Sequence, residues 1–69
     1  MKSDEWFLHG QANRWEVSAQ RLAIMAERAK SYNADVARHL MGIAISHRRN
    51  ANILRREAEA RTPRYLKSA

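Results

Sequence analysis

The chain lacks the residues on which disulfide-bonded, metal-thiolate and turn-rich proteins depend. It contains no cysteine, which excludes disulfide scaffolds and zinc sites built from thiolates. Two glycines and one proline in 69 residues are too few for the many tight turns of a β-rich domain. Alanine and arginine dominate instead, and both of these, like the five leucines, favour helix. The composition therefore predicts an all-α protein.

Long apolar segments are also absent. The longest strongly apolar run, residues 40–45, is far too short to cross a membrane. The first five residues lack the basic-then-apolar order of a secretory signal, so we expect a cytoplasmic protein with no membrane partner. A chain of 69 residues forms one domain at most, near the lower limit at which a single core holds a fold. We therefore expect one helical domain over 1–69 that gains further burial by oligomerising.

The strongest positive signal is a repeat of the form Ala-x-Arg-apolar at intervals of seven residues. It occurs at residues 12–15, 19–22 and 26–29. A period of seven keeps each residue type on one stripe of a helix, which is the pattern of helices that pack lengthwise. On the first helix the predicted core stripe consists of Leu8, Ala12, Trp15, Ala19, Leu22, Ala26 and Ala29. On the second helix it consists of Val36, Leu40, Ile43, His47, Asn50, Leu54 and Ala58.

Capping signals place the first helix at about residues 13–31. Asn13 followed by Glu16 has the spacing of a capping box, and Gly10 comes shortly before it. In this interpretation residues 1–12 are a lead-in segment. A single helix from about residue 4, kinked at Gly10, is the alternative, and the sequence does not decide between them.

The second helix is predicted over about residues 35–61. Asn33 or Asp35 can cap its first turn, and Thr62-Pro63 ends it because proline cannot continue a helix. The basic tail, residues 63–69, is expected to be irregular. With a connection of about three residues, the two helices can only fold back as an antiparallel hairpin. A lone hairpin has a thin core, so we expect a two-fold dimer that forms a four-helix bundle.

A second set of apolar residues lies nearly opposite the two core stripes. A lone hairpin exposes these residues, and apolar residues aligned in this way are typical of a protein interface. The predicted interface consists of Trp6, Val17, Ile24, Met41 and Ile45. Self-association is the favoured use of this interface, and docking of another protein is the alternative. Gly42, in the middle of the best apolar run, suggests that two helices approach closely there.

The charge is positive and unevenly distributed. The net charge is +6, and residues 34–69 carry eight basic and three acidic side chains, against five and four in residues 1–33. Such an excess favours polyanionic partners, because guanidinium groups in a row suit phosphate contacts. The predicted nucleic-acid face consists of Arg38, Arg48, Arg49, Asn52, Arg55 and Arg56. The alternative is a solvated face with local ion pairs, namely Asp35 to Arg38, Arg55 to Glu59 and Glu57 to Arg61.

The sequence contains no constellation that supports catalysis. It has no glycine-rich phosphate loop, no nucleophile motif and no helical zinc motif. Asp35 and His39 have a spacing that suits a metal on a helix, but two ligands do not make a site. We therefore expect no enzymatic activity, no metal, no cofactor and no small-molecule substrate.

These observations together predict a small regulatory binding protein, of the type expected in phages and mobile elements. It would act as a homodimer and bind nucleic acid or a nucleic-acid-handling complex. The alternative is an inhibitor or adaptor that docks its second apolar set, rimmed by arginine, on an acidic protein partner. Both functions depend on a binding surface, and neither requires an active site.

Overall fold

The protein folds into two helices joined by a short connection, as seen in a computed structural model that describes residues 4–61. Helix α1 covers Asp4–Ala29 and helix α2 covers Ala34–Arg61. The two helices pack against each other in antiparallel order, which confirms the all-α hairpin. The predicted basic tail, residues 63–69, lies outside the described residues.

Helix α1 starts earlier than the capping signals predict. It begins at Asp4 and continues through Gly10, which agrees with the alternative of a single helix from about residue 4. The predicted start near residue 13 is therefore wrong, and most of the lead-in segment is helical. A helical glycine costs about 1 kcal/mol relative to alanine, but this is a small penalty beside the packing on either side of it. Leu8 is half-buried and Ala12 is fully buried. The helical period of the core stripe therefore overrides the local capping pattern.

The connection satisfies the backbone groups at both helix ends. The side-chain Oδ1 of Asn33 accepts a hydrogen bond from the Val36 amide at 3.1 Å, which confirms Asn33 as the cap of α2. The Asn33 amide donates to the Ala29 carbonyl at 2.7 Å, and the Ser31 hydroxyl donates to the Arg28 carbonyl at 3.2 Å. Helix α2 is described as far as Arg61, and the predicted stop at Thr62-Pro63 lies outside the described residues.

The core between the helices consists of alanine. Among residues 5–61, whose side chains are described, all buried residues are alanines, namely Ala12, Ala19, Ala26, Ala29, Ala37, Ala44, Ala51 and Ala58. The Trp15–His47 and Glu16–Arg48 contacts fix the register between the helices. This register places Ala12, Ala19 and Ala26 opposite Ala51, Ala44 and Ala37. We call this double row of small residues the seam, and it permits a close approach of the two helix axes.

The predicted core stripe of α1 is confirmed, whereas that of α2 is partly wrong. Leu40, Ile43, His47 and Leu54 are half-buried on one flank of the seam, and Ala58 is buried within it. Val36 and Asn50 are exposed. The helix is rotated so that its alanine row is innermost, because large side chains do not fit between closely packed helices.

Gly42 does not mark a close approach of two helices. It is exposed, and a Cβ atom added there would meet nothing within 4 Å. The close approach occurs instead along the alanine rows.

We predict that Ala44→Leu destabilises the hairpin by about 1–3 kcal/mol, because extra carbons in a packed seam force side chains or helices apart. Ala60→Leu is the matched control, since it makes the same change at an exposed position of α2. The free energies of unfolding are obtained from urea titrations followed by circular dichroism at fixed protein concentration. An Ala44→Leu protein as stable as the control would show that the seam is not tightly packed.

Candidate nucleic-acid interface

The seam divides the hairpin into two broad sides of different character. Glu16 lies on one side with Arg48 and Arg55, and Trp15 lies on the other side with His47. The seven-residue period extends this division along both helices. We call the side that carries Glu16, Arg48 and Arg55 the charged side. The second, the neutral side, consists of Leu8, Gln11, Trp15, Ser18, Leu22 and Met25 on α1, and Val36, Leu40, Ile43, His47, Asn50 and Leu54 on α2.

One carboxylate holds two of the predicted nucleic-acid-binding arginines. Arg55 Nη1 donates a hydrogen bond to Glu16 Oε1 at 3.1 Å, and Arg48 Nε lies 3.6 Å from Glu16 Oε2. The Glu16 side chain is 28% exposed, which makes this the least exposed ion-pair carboxylate of the described chain. Arg55 therefore pairs across the hairpin and not with Glu59, so that predicted local pair is wrong. Two guanidinium groups on one carboxylate leave a positive charge beside the seam.

Two of the predicted local ion pairs are present. Arg38 pairs with Asp35 one turn before it, and Arg61 Nη1 lies 3.8 Å from Glu57 Oε1. Arg38 and Asp35 are largely exposed and Arg61 and Glu57 about half exposed, and exposed pairs of this kind contribute little to stability. The Asp35 carboxylate nevertheless offsets the charge of Arg38.

Arg49 and Arg56 are the predicted site residues that are most available to a partner. Both are exposed, and neither forms an ion pair within the described part of the chain. Asn52 is exposed as well. At about 100° per residue, all six predicted residues fall within a sector of roughly 120° of α2. This arginine face (Arg38, Arg48, Arg49, Asn52, Arg55 and Arg56) extends from the charged side to the outer surface of α2.

The sequence prediction did not include a second row of arginines, which lies on α1. Arg14, Arg21 and Arg28 are exposed and form no ion pair among residues 4–61. Their positions in the seven-residue repeat place them on the outer surface of α1, away from the seam. The seven-residue repeat could have identified this row from the sequence, because each of these arginines follows a seam alanine by two positions. This row lies on the other helix from the arginine face and does not extend it.

The structure does not gather the predicted protein-interface residues into one patch. Trp6, Val17, Ile24 and Ile45 are exposed, and Met41 is half-buried. Helical spacing places Val17 and Ile24 on the outer surface of α1, whereas Met41 and Ile45 belong to the charged side of α2.

Met41 lines a shallow, open depression of about 370 Å³ near the connection. The other lining residues are Ala26, Lys30, Ala34, Ala37 and Arg38. The floor of this depression is therefore apolar, and at its edge Lys30 and Arg38 are each paired with a neighbouring carboxylate, those of Glu27 and Asp35. Such a depression suits an apolar side chain.

His47 carries a buried nitrogen without a hydrogen-bond partner. Its ring lies edge-on to Trp15, with ring centroids 4.7 Å apart and an interplanar angle of 84°. The Nδ1 atom is buried there and forms no hydrogen bond. A buried polar atom left unpaired costs about 1–3 kcal/mol, so the Trp15–His47 layer is a weak point of the hairpin.

We predict that His47→Leu raises the free energy of unfolding by about 1 kcal/mol, because it removes the unpaired nitrogen and keeps an apolar side chain against Trp15. His39→Leu is the control, since His39 is exposed on the same helix. Both variants are compared by urea titration. A His47→Leu protein less stable than the wild type would mean that the ring contact with Trp15 outweighs the unpaired nitrogen.

Neither a metal site nor a membrane-spanning helix is found in the described residues. Within residues 4–61, no three His, Asp or Glu side chains are grouped closely enough to hold a metal ion. No helix of this part of the chain combines the length and the apolar character needed to cross a bilayer. Comparison of the chain with protein-family models, curated proteins and solved structures found no match.

Proposed function

We propose that the protein is a small, non-enzymatic, cytoplasmic regulator, of the phage or mobile-element type, that dimerises into a four-helix bundle and binds nucleic acid through the arginine face of α2. One observation supports this proposal most strongly: Arg49 and Arg56 are exposed and have no ion-pair partner among the described residues. Unneutralised guanidinium groups on a rigid helix bind phosphate well, because their donors form a planar fork.

The arrangement of the neighbouring arginines supports the proposal. Arg49 and Arg56 are seven residues apart, which separates them by about 10.5 Å along the helix axis. Arg48 and Arg55 occupy the adjacent edge of the arginine face, and Glu16 fixes their orientation. One carboxylate neutralises one of these two charges, so the face keeps a positive excess along two turns. Phosphate contacts of this type set the affinity and carry no base specificity.

The first test is fluorescence anisotropy with random-sequence double-stranded DNA and single-stranded RNA at about 50 and 200 mM salt. We expect the Arg49→Ala, Arg56→Ala variant to bind all duplex sequences more weakly, on the order of 100-fold at about 50 mM salt. The slope of log affinity against log salt should fall by about 2, because two phosphate contacts are lost. Wild-type protein that does not bind at the lower salt would contradict the proposal.

The matched control is Arg14→Ala, Arg21→Ala. This variant removes the same charge, from two exposed arginines with the same spacing and without ion pairs, but on α1. We expect it to keep most of the affinity and the salt slope. Equal losses in both variants would show that binding depends on net charge alone and not on the arginine face.

A second candidate function is supported by the depression beside Met41. In this proposal the protein is an inhibitor or adaptor, and the depression accepts an apolar side chain of an acidic protein partner. The apolar floor fits such a side chain, and in this proposal an acidic residue of the partner replaces Glu27 or Asp35, the exposed local partners of Lys30 and Arg38 at the edge.

We predict that Met41→Asp, Ile45→Asp abolishes binding of such a partner while the hairpin stays folded, because both residues lie outside the fully buried seam. The partner is captured from an extract on the immobilised chain, purified, and titrated by calorimetry. Val17→Asp, Ile24→Asp is the control, since it charges two exposed apolar residues of α1 away from the depression. A double variant that instead dissociates a dimer would assign Met41 and Ile45 to self-association.

A further inference from the structure

We infer that the neutral side is the surface by which two copies of this chain associate, and that the second copy covers the half-exposed leucines, Trp15 and His47. This inference deepens the dimer included in the proposed function and does not depend on nucleic-acid binding. It assigns self-association to a different surface from the set Trp6, Val17, Ile24, Met41 and Ile45.

Incomplete burial is the first observation. No large side chain is fully buried in the described part of the chain, where alanine alone forms the core. The largest apolar side chains of the neutral side are only half-buried, and they stand in layers that the register defines: Leu8 with Leu54, Trp15 with His47, and Leu22 with Leu40. A hairpin of this size needs further burial to be stable, and these layers are the surface that can supply it.

The distribution of charge is the second observation. Between Leu8 and Met25 of α1, and between Val36 and Leu54 of α2, the neutral side carries no Asp, Glu, Lys or Arg. Beyond Leu54 the same two stripes of α2 continue with Glu57 and Arg61, which pair with each other. A surface without charge can lie against an identical surface with no repulsion between like charges, which suits a two-fold dimer. An acidic or basic partner, by contrast, would find no counter-charge there.

The area of the neutral side is at the lower end of what a specific dimer needs. At about 1.5 Å per residue, residues 36–54 extend over roughly 27 Å, and two helices side by side are about 20 Å wide. The neutral side therefore measures on the order of 500 Å² on each copy, and two copies together reach the roughly 1,000 Å² expected of a specific interface. Its centre carries the Trp15–His47 layer, and a two-fold axis through that layer would bring the two layers together.

The decisive experiment compares two double variants whose substitutions are shifted by one residue along α1. Ser18→Glu, Met25→Glu puts two charges on the neutral side, and Val17→Glu, Ile24→Glu puts the same two charges on the outer surface of α1. All four residues are exposed in the hairpin, with Met25 50% and Ile24 53% exposed, so the packing within one copy is not disturbed. Sedimentation equilibrium is measured without nucleic acid. We expect a wild-type dimer, a dissociation constant raised at least tenfold for the first variant, and no change for the second.

Three results would overturn the inference. One is a wild-type protein that is monomeric at about 100 µM; another is a dimer that resists the charges on the neutral side. The third is dissociation by the Val17→Glu, Ile24→Glu variant, which would assign the interface to the outer surface of α1. Since nucleic acid is absent, a failure here leaves the anisotropy test of the arginine face unaffected.

A labelling experiment keeps the inference testable if the Ser18→Glu, Met25→Glu protein does not fold. The chain has no cysteine, so Ser18→Cys and Val17→Cys each introduce a single reactive thiol. We expect the reaction of Cys at position 18 with a charged maleimide to slow at least tenfold as the protein concentration rises through the dimer range. The thiol at position 17 should react at a constant rate. Equal behaviour of the two thiols would contradict the neutral side as the interface.

Discussion

The packing of alanine against alanine along the seam is the constraint on which the rest of the molecule depends. Two rows of small side chains let the helices lie close together, and the buried residues described in the hairpin are all alanines. Larger side chains cannot enter this space and are displaced to the flanks. On one flank they are the leucines, Trp15 and His47, and on the other they are Glu16 and its arginines. The difference between the two sides follows directly from the narrow seam.

The hairpin itself was predictable because its signals are local. The seven-residue repeat predicts lengthwise packing, and Asn33 caps α2 by accepting a hydrogen bond from the Val36 amide. The start of α1 was not predictable from the capping box at Asn13, because packing on either side of Gly10 overrides it. The rotation of α2 was missed for a related reason. Weighting residues by hydrophobicity favours large side chains, whereas the seam selects small ones.

Only those features of the candidate site that depend on the geometry of a single helix were predictable from the sequence. The positions of the six residues around α2 follow from the angle between successive residues, and the local pairs Asp35–Arg38 and Glu57–Arg61 follow from their spacing. The partner of Arg48 and Arg55 is Glu16, more than thirty positions away in the sequence. No local pattern relates these residues, because the pairing depends on the register between the helices. The ion pairs with Glu16 distinguish Arg48 and Arg55 from Arg49 and Arg56, which are exposed and form no ion pair among the described residues.

The regularity of the alanine rows has a consequence for alignment. When one helix is shifted along the other by one seven-residue repeat, the alanine rows face each other again. The alanines alone therefore do not define a single register between the helices. The features that break this periodicity are the Trp15–His47 contact, the Glu16 ion pairs and the short connection that Asn33 closes. The alanine rows alone would allow several nearly equivalent alignments of the two helices. The short connection, the Trp15–His47 contact and the Glu16 ion pairs together make one alignment the native one.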